Sequence, residues 1–196
     1  MNRLSHHFAT MAYNNGWANF RLLTAVSKLS QADFVAARTS FFPSMRATLS
    51  HTLTVDWYYV DALERSLDGA LVNPDARRFF DRAEPFASAS QLFTAQRAVD
   101  RRLIERCVGL TDDRLDTPIA ISRRTGVVYE SATRMLAHLF EHQIHHRGQA
   151  HAMLSGTSVA PPQLDEFFCA GDASLRADDF AKLGYNESKI WPPSGI

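Results

Sequence analysis

Apolar positions recur at helical spacing in four stretches of this chain, and breakers fill the spacers between them. From about Ser5 to Leu29, Phe8, Met11, Ala12, Leu22, Leu23 and Val26 fall on one stripe of a 3.6-residue helix. Asn15 and Asn19 lie in the same stripe. Buried amides need partners, so these two either join a polar network in the core or line a cavity. A second helix is predicted from about Pro43 to Leu67, with Pro43 suited to the first turn. Its inward side carries Met45, Thr48, His51, Val55, Tyr58, Tyr59 and Ala62; Arg46, Ser50, Thr54, Asp61, Glu64 and Arg65 form the polar side. The spacer from Asp68 to Ser88 holds Gly69, Pro74 and Pro85 and reads as a long crossover. A third helix is expected from about Ser90 to Val108, stopped by Gly109.

The texture then changes. Thr117 to Ser122 and Val127 to Tyr129 flank the polar turn Arg123-Arg124-Thr125-Gly126, the pattern of a short, weak β-hairpin. A fourth helix begins near Glu130 or Ser131, runs to Leu154 and ends at Gly156. After Pro161-Pro162 the tail is expected to be mostly irregular, with short helical turns at 164–169 and 175–182. Four long helices and one hairpin predict an all-α four-helix bundle with a small β-hairpin between helices three and four. The crossover is long enough to let helices two and three run parallel. The expected organisation is one domain over residues 1–196, with its core at about 5–156 and an irregular tail at 157–196.

Composition narrows the function classes. Lys plus Arg and Asp plus Glu both number 21, so the formal net charge is zero. No electrostatic footprint recommends nucleic acid or an anionic membrane as a partner. The Arg pairs at 77–78, 101–102 and 123–124 read as solvated surface. Cys107 and Cys169 stand apart without CxxC spacing and are expected to be free thiols. The first residues lack the apolar stretch of a secretory signal, and no run of ~18 apolar residues occurs. A cytoplasmic protein is expected.

The eight histidines are the odd feature. At ~100° per residue, His138, His142, His145, His146 and Gln149 share about a third of the fourth helix's circumference. Arg147 and His151 point to the other side. Imidazoles at i and i+4 stand one turn apart and can converge on a single ion. Spacing leaves the pair open: His138/His142 and His142/His146 fit equally well, and His142/His145 is possible. In a bundle the third ligand should come from a facing helix. His51 leads, with His6 and His7 less well placed. One inward histidine is more often a hydrogen-bonded core residue than a ligand, but three on one face with a fourth opposite are harder to assign to the core. There is no HExxH, and Glu141 is followed three residues later by Ile144, so neither a zinc-protease helix nor a di-iron site is present. A mononuclear, nitrogen-rich site remains, suited to zinc, nickel, iron or copper.

Three segments carry a resemblance: H-x-x-x-H-R-G-Q at 142–149, N-N-G-W-A-N-x-R-L-L at 14–23 and S-H-T-L-T-V-D-W at 50–57. They resemble the DinB-like family of bacterial damage-inducible proteins, and the likeness extends to Pro-Pro-Gln-Leu-Asp at 161–165. The resemblance implies an up-up-down-down four-helix bundle with a three-histidine site for one divalent metal ion, zinc or nickel first and iron next. It also implies homodimers. Carried over, the ligands are His51, His142 and His146, and His138 and His145 become neighbours of the site. Gln149 is placed either to hydrogen-bond a ligand or a metal-bound water, or to fill the core.

Three protein ligands leave a tetrahedral ion one open position, as in catalytic sites. The ion can then deliver hydroxide for hydrolysis or bind a small thiol as thiolate. Relatives resemble thiol-dependent S-transferases and isomerases, which ranks transfer from a low-molecular-weight thiol first, a metal-dependent hydrolase second and a non-catalytic stress or sensing protein third. A general base is hard to find. Asp56 projects away from His51, and Asp165 after the Pro-Pro turn is a candidate cap. Tyr58 and Tyr59 are candidate pocket residues. Cys169 is the natural fourth ligand of a closed sensing site. No catalytic residue beyond the ligands is assigned.

Overall fold

The computed structural model describes residues 3–192. Four long helices form the bundle: α1 (Arg3–Val26), α3 (Met45–Leu67), α4 (Ala89–Val108) and α5 (Ala132–Leu154). A short α2 (Gln31–Val35) lies between the first two. Serine side chains start three of the bundle helices. Ser44, Ser88 and Ser131 accept from the backbone N–H groups of Ala47, Gln91 and Arg134, capping α3, α4 and α5. Pro43 therefore sits just outside α3, where its carbonyl accepts from the Arg38 N–H at 2.8 Å.

Side-chain ladders give the helix directions. Asn19 and Phe20 of α1 meet Asp100 and Phe93 of α4, while Ser5 reaches Asp112 beyond the α4 end, so these two run antiparallel. Asp56 and Glu64 of α3 and Asp68 at its C-cap meet Gln96, Arg102 and Arg106 of α4 in ascending order, so these are parallel. Phe8 and Asn19 of α1 meet Phe140 and Arg147 of α5, again parallel. The order is up-down-down-up, which corrects the up-up-down-down expectation. The reason lies in the connections. The crossover at 68–88 returns the chain to the opposite end of the bundle, whereas the links before α3 and before α5 turn back at the same end. The parallel run of α3 and α4 is as the long crossover predicts.

The strands β1 (Pro118–Arg123) and β2 (Gly126–Ser131) pair antiparallel with Arg123 opposite Gly126. Gly126 takes a φ of 123°, open to glycine alone at low cost. Ile119 and Ile121 are buried against the bundle, and the Ala120 N–H donates to Ser66 Oγ at 3.0 Å.

The tail departs from expectation. Residues 164–169 form no helix, whereas α6 (Ala173–Leu183) covers the turn expected at 175–182 and α7 (Glu187–Ile190) adds another. They make a second apolar cluster of Phe167, Phe180 and Ile190 over Trp17 and Ala18 of α1. Arg21 locks this segment down through Asp179 at 2.6 Å and Glu166 at 2.5 Å. Gly16 permits the close approach: a Cβ there would lie 2.5 Å from Tyr185 Oη and 3.3 Å from Ile104. Thus α1 is covered on both sides, by the bundle and by the tail.

Candidate metal centre

Because α3 and α5 run antiparallel, residues one turn apart on each meet in sequence. The Tyr59 ring lies 5.4 Å from His138, and the His51 ring lies 5.0 Å from His142 and 4.8 Å from His146. His142 and His146 are 4.4 Å apart. The three rings form a nearly equilateral triangle, and one ligating atom from each lies within 4.8 Å of the others. His51 Nε2 and His142 Nε2 face each other at 3.0 Å. Two imidazole nitrogens bound ~2.0–2.1 Å from a tetrahedral ion are about 3.3 Å apart. The pair is already close to that spacing, and the group could hold a metal ion.

Hydrogen bonds set the tautomers. His146 Nδ1 lies 2.8 Å from Gln149 Oε1, an atom that only accepts. The proton therefore sits on Nδ1, and Nε2 keeps its lone pair free. Gln149 in turn places Nε2 3.1 Å from His145 Nε2, so the exposed His145 braces Gln149. His142 Nδ1 is buried without a partner, which leaves Nε2, turned toward His51, as its one engaged nitrogen.

Electrostatics keep the rings neutral. Burial, reinforced by His146, lowers the His51 pKa to about 4. Burial, together with the neighbouring histidines, lowers His142 to about 3. His146 is also lowered by burial, with the Gln149 hydrogen bond opposing. At neutral pH all three thus present lone pairs rather than N–H⁺ groups, the form a metal requires.

A cleft of about 490 Å³ opens beside His51, lined by Phe42, Pro43, Ala47, Phe80 and Arg82 among others. Phe42 roofs the histidines, its ring 4.5 Å from His51 and 5.5 Å from His146. Nothing in its spacing marks it, since it lies in a loop; the doublet Phe41-Phe42 before a proline is the one hint. A smaller cavity of about 190 Å³ holds Tyr59, Arg123 and His138 on the hairpin side. There Arg123 donates to Tyr59 Oη at 2.9 Å and lies over the Tyr58 ring, so it is more than solvated surface. Tyr58 instead donates to the Ser122 carbonyl.

Other candidates lie elsewhere. His138 and His145 are exposed and outside the triangle. His6 lies near Trp191 by the start of α1. Asp165 lines a different cavity, of about 460 Å³, with Asn14 and His151 on the other side of α5, so it does not cap the histidines. Cys169 does not join the triad among the described residues; it lies in the tail, where its carbonyl accepts from Arg176 at 2.9 Å. Ser50 and Thr54, assigned above to the polar side of the second helix, are buried. The crossover and its neighbours cover that side.

Beneath the site lies a buried polar network. Asn15 and Asn19 each bridge two charges: their Nδ2 atoms donate to Asp100 Oδ1, and their Oδ1 atoms accept from Arg147 Nη1 at 2.7 and 2.9 Å. Gln96 Nε2 donates to Asp56 at 2.6 Å and to Asp100 at 3.1 Å. Burial pushes Asp56 up to about 7, helped by Asp100, and pushes Asp100 up to about 6. Burial also lowers Arg147 to about 10, against the pull of both acids. Gln143 lies close enough to Asp56 to oppose that rise, but neither of its amide atoms reaches hydrogen-bond geometry. The two asparagines thus join a core network, one of the two outcomes their stripe allows. Asp56 belongs to it and not to the histidine triad.

Residues 1–173 match the sequence profile of the DinB family. Protein DinB of Bacillus subtilis (strain 168) is 26% identical over 161 residues, which cover 79% of this chain and 90% of that protein.

Proposed function

The chain belongs to the DinB family, and from that premise and the histidine geometry we propose that it is a metal-dependent enzyme transferring a small thiol to small-molecule acceptors. The observation that carries the reading is a triangle of neutral imidazoles, with no fourth protein ligand among the described residues, beside a cleft reaching His51. His51, His142 and His146 would hold one divalent ion, zinc or nickel before iron. A bound ion of that kind acts as a Lewis acid that keeps a thiol ionised at neutral pH. The chain does the rest. Gln149 holds the His146 ring in the ligating tautomer. Phe42 shields two of the rings from water.

Two rival readings receive less support. A hydrolase needs a base beside the water. The acidic side chain lining the cleft, Glu84, is tied to Arg46, and Asp56 lies in the core. A closed sensing site needs a fourth ligand, and Cys169 lies in the tail. No nucleic acid or membrane partner is proposed. Among the described residues no helix is long and apolar enough to cross a membrane, and a cytoplasmic homodimer is part of the proposal.

Metal analysis of protein purified without a nickel column should find about one ion per chain, and His142→Ala should remove it. Conjugation assays with several low-molecular-weight thiols and electrophiles should give products that a chelator abolishes. Full metal content in the variant, or no chelator-sensitive product in any combination, overturns the proposal.

A further inference from the structure

The cleft beside His51 has a chemical bias that the metal site does not explain. Its walls include Phe42, Pro43, Ala47 and Phe80, with Phe80 at 42% exposure, and the neighbouring Phe41, against Phe42, stands at 78% exposure. Exposed rings grouped around a concavity mark a surface that gains by being covered. The ring of Phe80 rests 5.2 Å from Tyr58 and that of Phe41 4.9 Å from Phe42, so both are already held in place. At about 490 Å³ the cleft has the size of a small-molecule site.

Charge supplies the second half. Two arginines stand at this cleft or directly beside it. Arg46 is neutralised by its ion pair with Glu84. Arg82 has no hydrogen bond or ion pair among the described residues. Among the described side chains that line the cleft or touch it, Arg82 is therefore the one guanidinium without a protein counter-charge. An arginine fork of this kind matches a carboxylate with two parallel hydrogen bonds.

We propose that this cleft is the acceptor subsite, and that the acceptor is a small, largely apolar carboxylate whose rings or chain lie on Phe42 and Phe80 while its charge pairs with Arg82. The assignment of the ligand as acceptor rests on the transfer reading above; the cleft's preference does not. Arg82 is a binding residue, and the apolar end of the ligand lies toward His51.

Binding to zinc-loaded protein tests this without turnover. Phenylacetate, 3-phenylpropionate and hexanoate serve as probes, phenylacetamide as the uncharged control and N-acetylcysteine as a thiol carrying its own carboxylate. By calorimetry, Arg82→Gln should weaken phenylacetate at least tenfold and phenylacetamide less than twofold. Phe80→Ala, at a partly exposed position, should weaken both severalfold. The proposal is overturned if none of the three carboxylates binds at millimolar concentration, or if their affinity ignores Arg82. Affinity that vanishes on metal removal yet ignores Arg82 means direct coordination, and also overturns it. So does Arg82-dependent binding of N-acetylcysteine alone, which would assign the charge to the thiol. Arg82-dependent carboxylate binding without any conjugation would leave the cleft standing and remove the transfer reading. Full-rate conjugation of neutral electrophiles by Arg82→Gln, with no carboxylate bound, would do the reverse.

Discussion

Replacing Arg147 with Met should destabilise the protein by an amount that grows with pH. The side chain is nearly isosteric, so the loss is one of charge and hydrogen bonds. Two donations from Nη1 disappear, leaving Asn15 and Asn19 Oδ1 without their partner inside the bundle. Unsatisfied buried acceptors cost about 1–3 kcal/mol each at most, less where the amides turn. The second part depends on the acids. Asp56 and Asp100 have folded pKa values near 7 and 6 against an ordinary 3.8, so the fold binds more protons than the unfolded chain between those limits. Their protonated forms favour the fold below about pH 4, and that advantage is lost as pH rises through 6 to 7. Removing the cation that opposes the rise moves both values further up and extends the loss to higher pH, at about 1.4 kcal/mol per additional unit for each acid. At pH 5 both carboxyls are protonated in either protein, and the penalty should be about 2 kcal/mol. At pH 8 it should reach the 3–5 kcal/mol typical of breaking a buried ion pair, or about 4 kcal/mol. With a denaturant slope of about 2 kcal/mol/M, the urea midpoint should fall by about 1 M at pH 5 and about 2 M at pH 8. Urea melts followed by circular dichroism in the presence of chelator measure both. Equal midpoint shifts at the two pH values, or a shift below 0.3 M at pH 8 (roughly half a kcal/mol), would refute the account of Arg147 as counter-charge to the acids.

Three further outcomes can be checked. Gln149→Leu should weaken zinc binding about 10–100-fold, by releasing the His146 tautomer, while His145→Ala should change it far less; competition with a chromophoric chelator reads both, and equal effects would deny Gln149 its bracing role. Zinc should stay bound as pH falls past 6.5, because the folded values of about 4 for His51 and about 3 for His142 delay proton competition; a release midpoint near 6.5 would contradict the burial of the rings. Gly16→Ala should cost about 1–3 kcal/mol by driving a methyl against Tyr185 and Ile104, and an unchanged thermal midpoint would mean that the tail does not press on α1 as described.

Much of this molecule can be read from local pattern. The 3.6 period over Phe8 to Val26, the stops at Gly109 and Gly156 and the breakers between 68 and 88 suffice for four helices, and the Arg123–Gly126 turn for a hairpin. The meeting of His51 with His142 and His146 is likewise implied by one face of each helix, with the family resemblance choosing the pair. Helix direction is not local. It depends on which end of the bundle each connection returns to, and the Asp68–Ser88 crossover and the 27–44 link look alike as strings of breakers. The docking of the tail on α1 escaped for a related reason. Helix α6, expected as a turn at 175–182, is short, and it is held by Trp17, Gly16 and Arg21 of α1, partners more than a hundred residues away. Arg147 shows the same limit: its place opposite the histidine face is legible, but its burial is not until the asparagines and acids that receive it are in place.

The run His146-Arg147-Gly148-Gln149 divides its labour around the axis of α5. His146 faces the triad, Arg147 enters the core, Gly148 lines the outer cavity with nothing within 4 Å of its missing side chain, and Gln149 comes back round to steady the first of the four. Each step turns the helix by ~100°, so a single inserted or deleted residue here would send the guanidinium into the histidine face or leave the acids beneath it stranded. Design efforts that graft this centre onto another bundle would have to move the amides and carboxylates on the far side together with the imidazoles, because one turn of helix is moored at both.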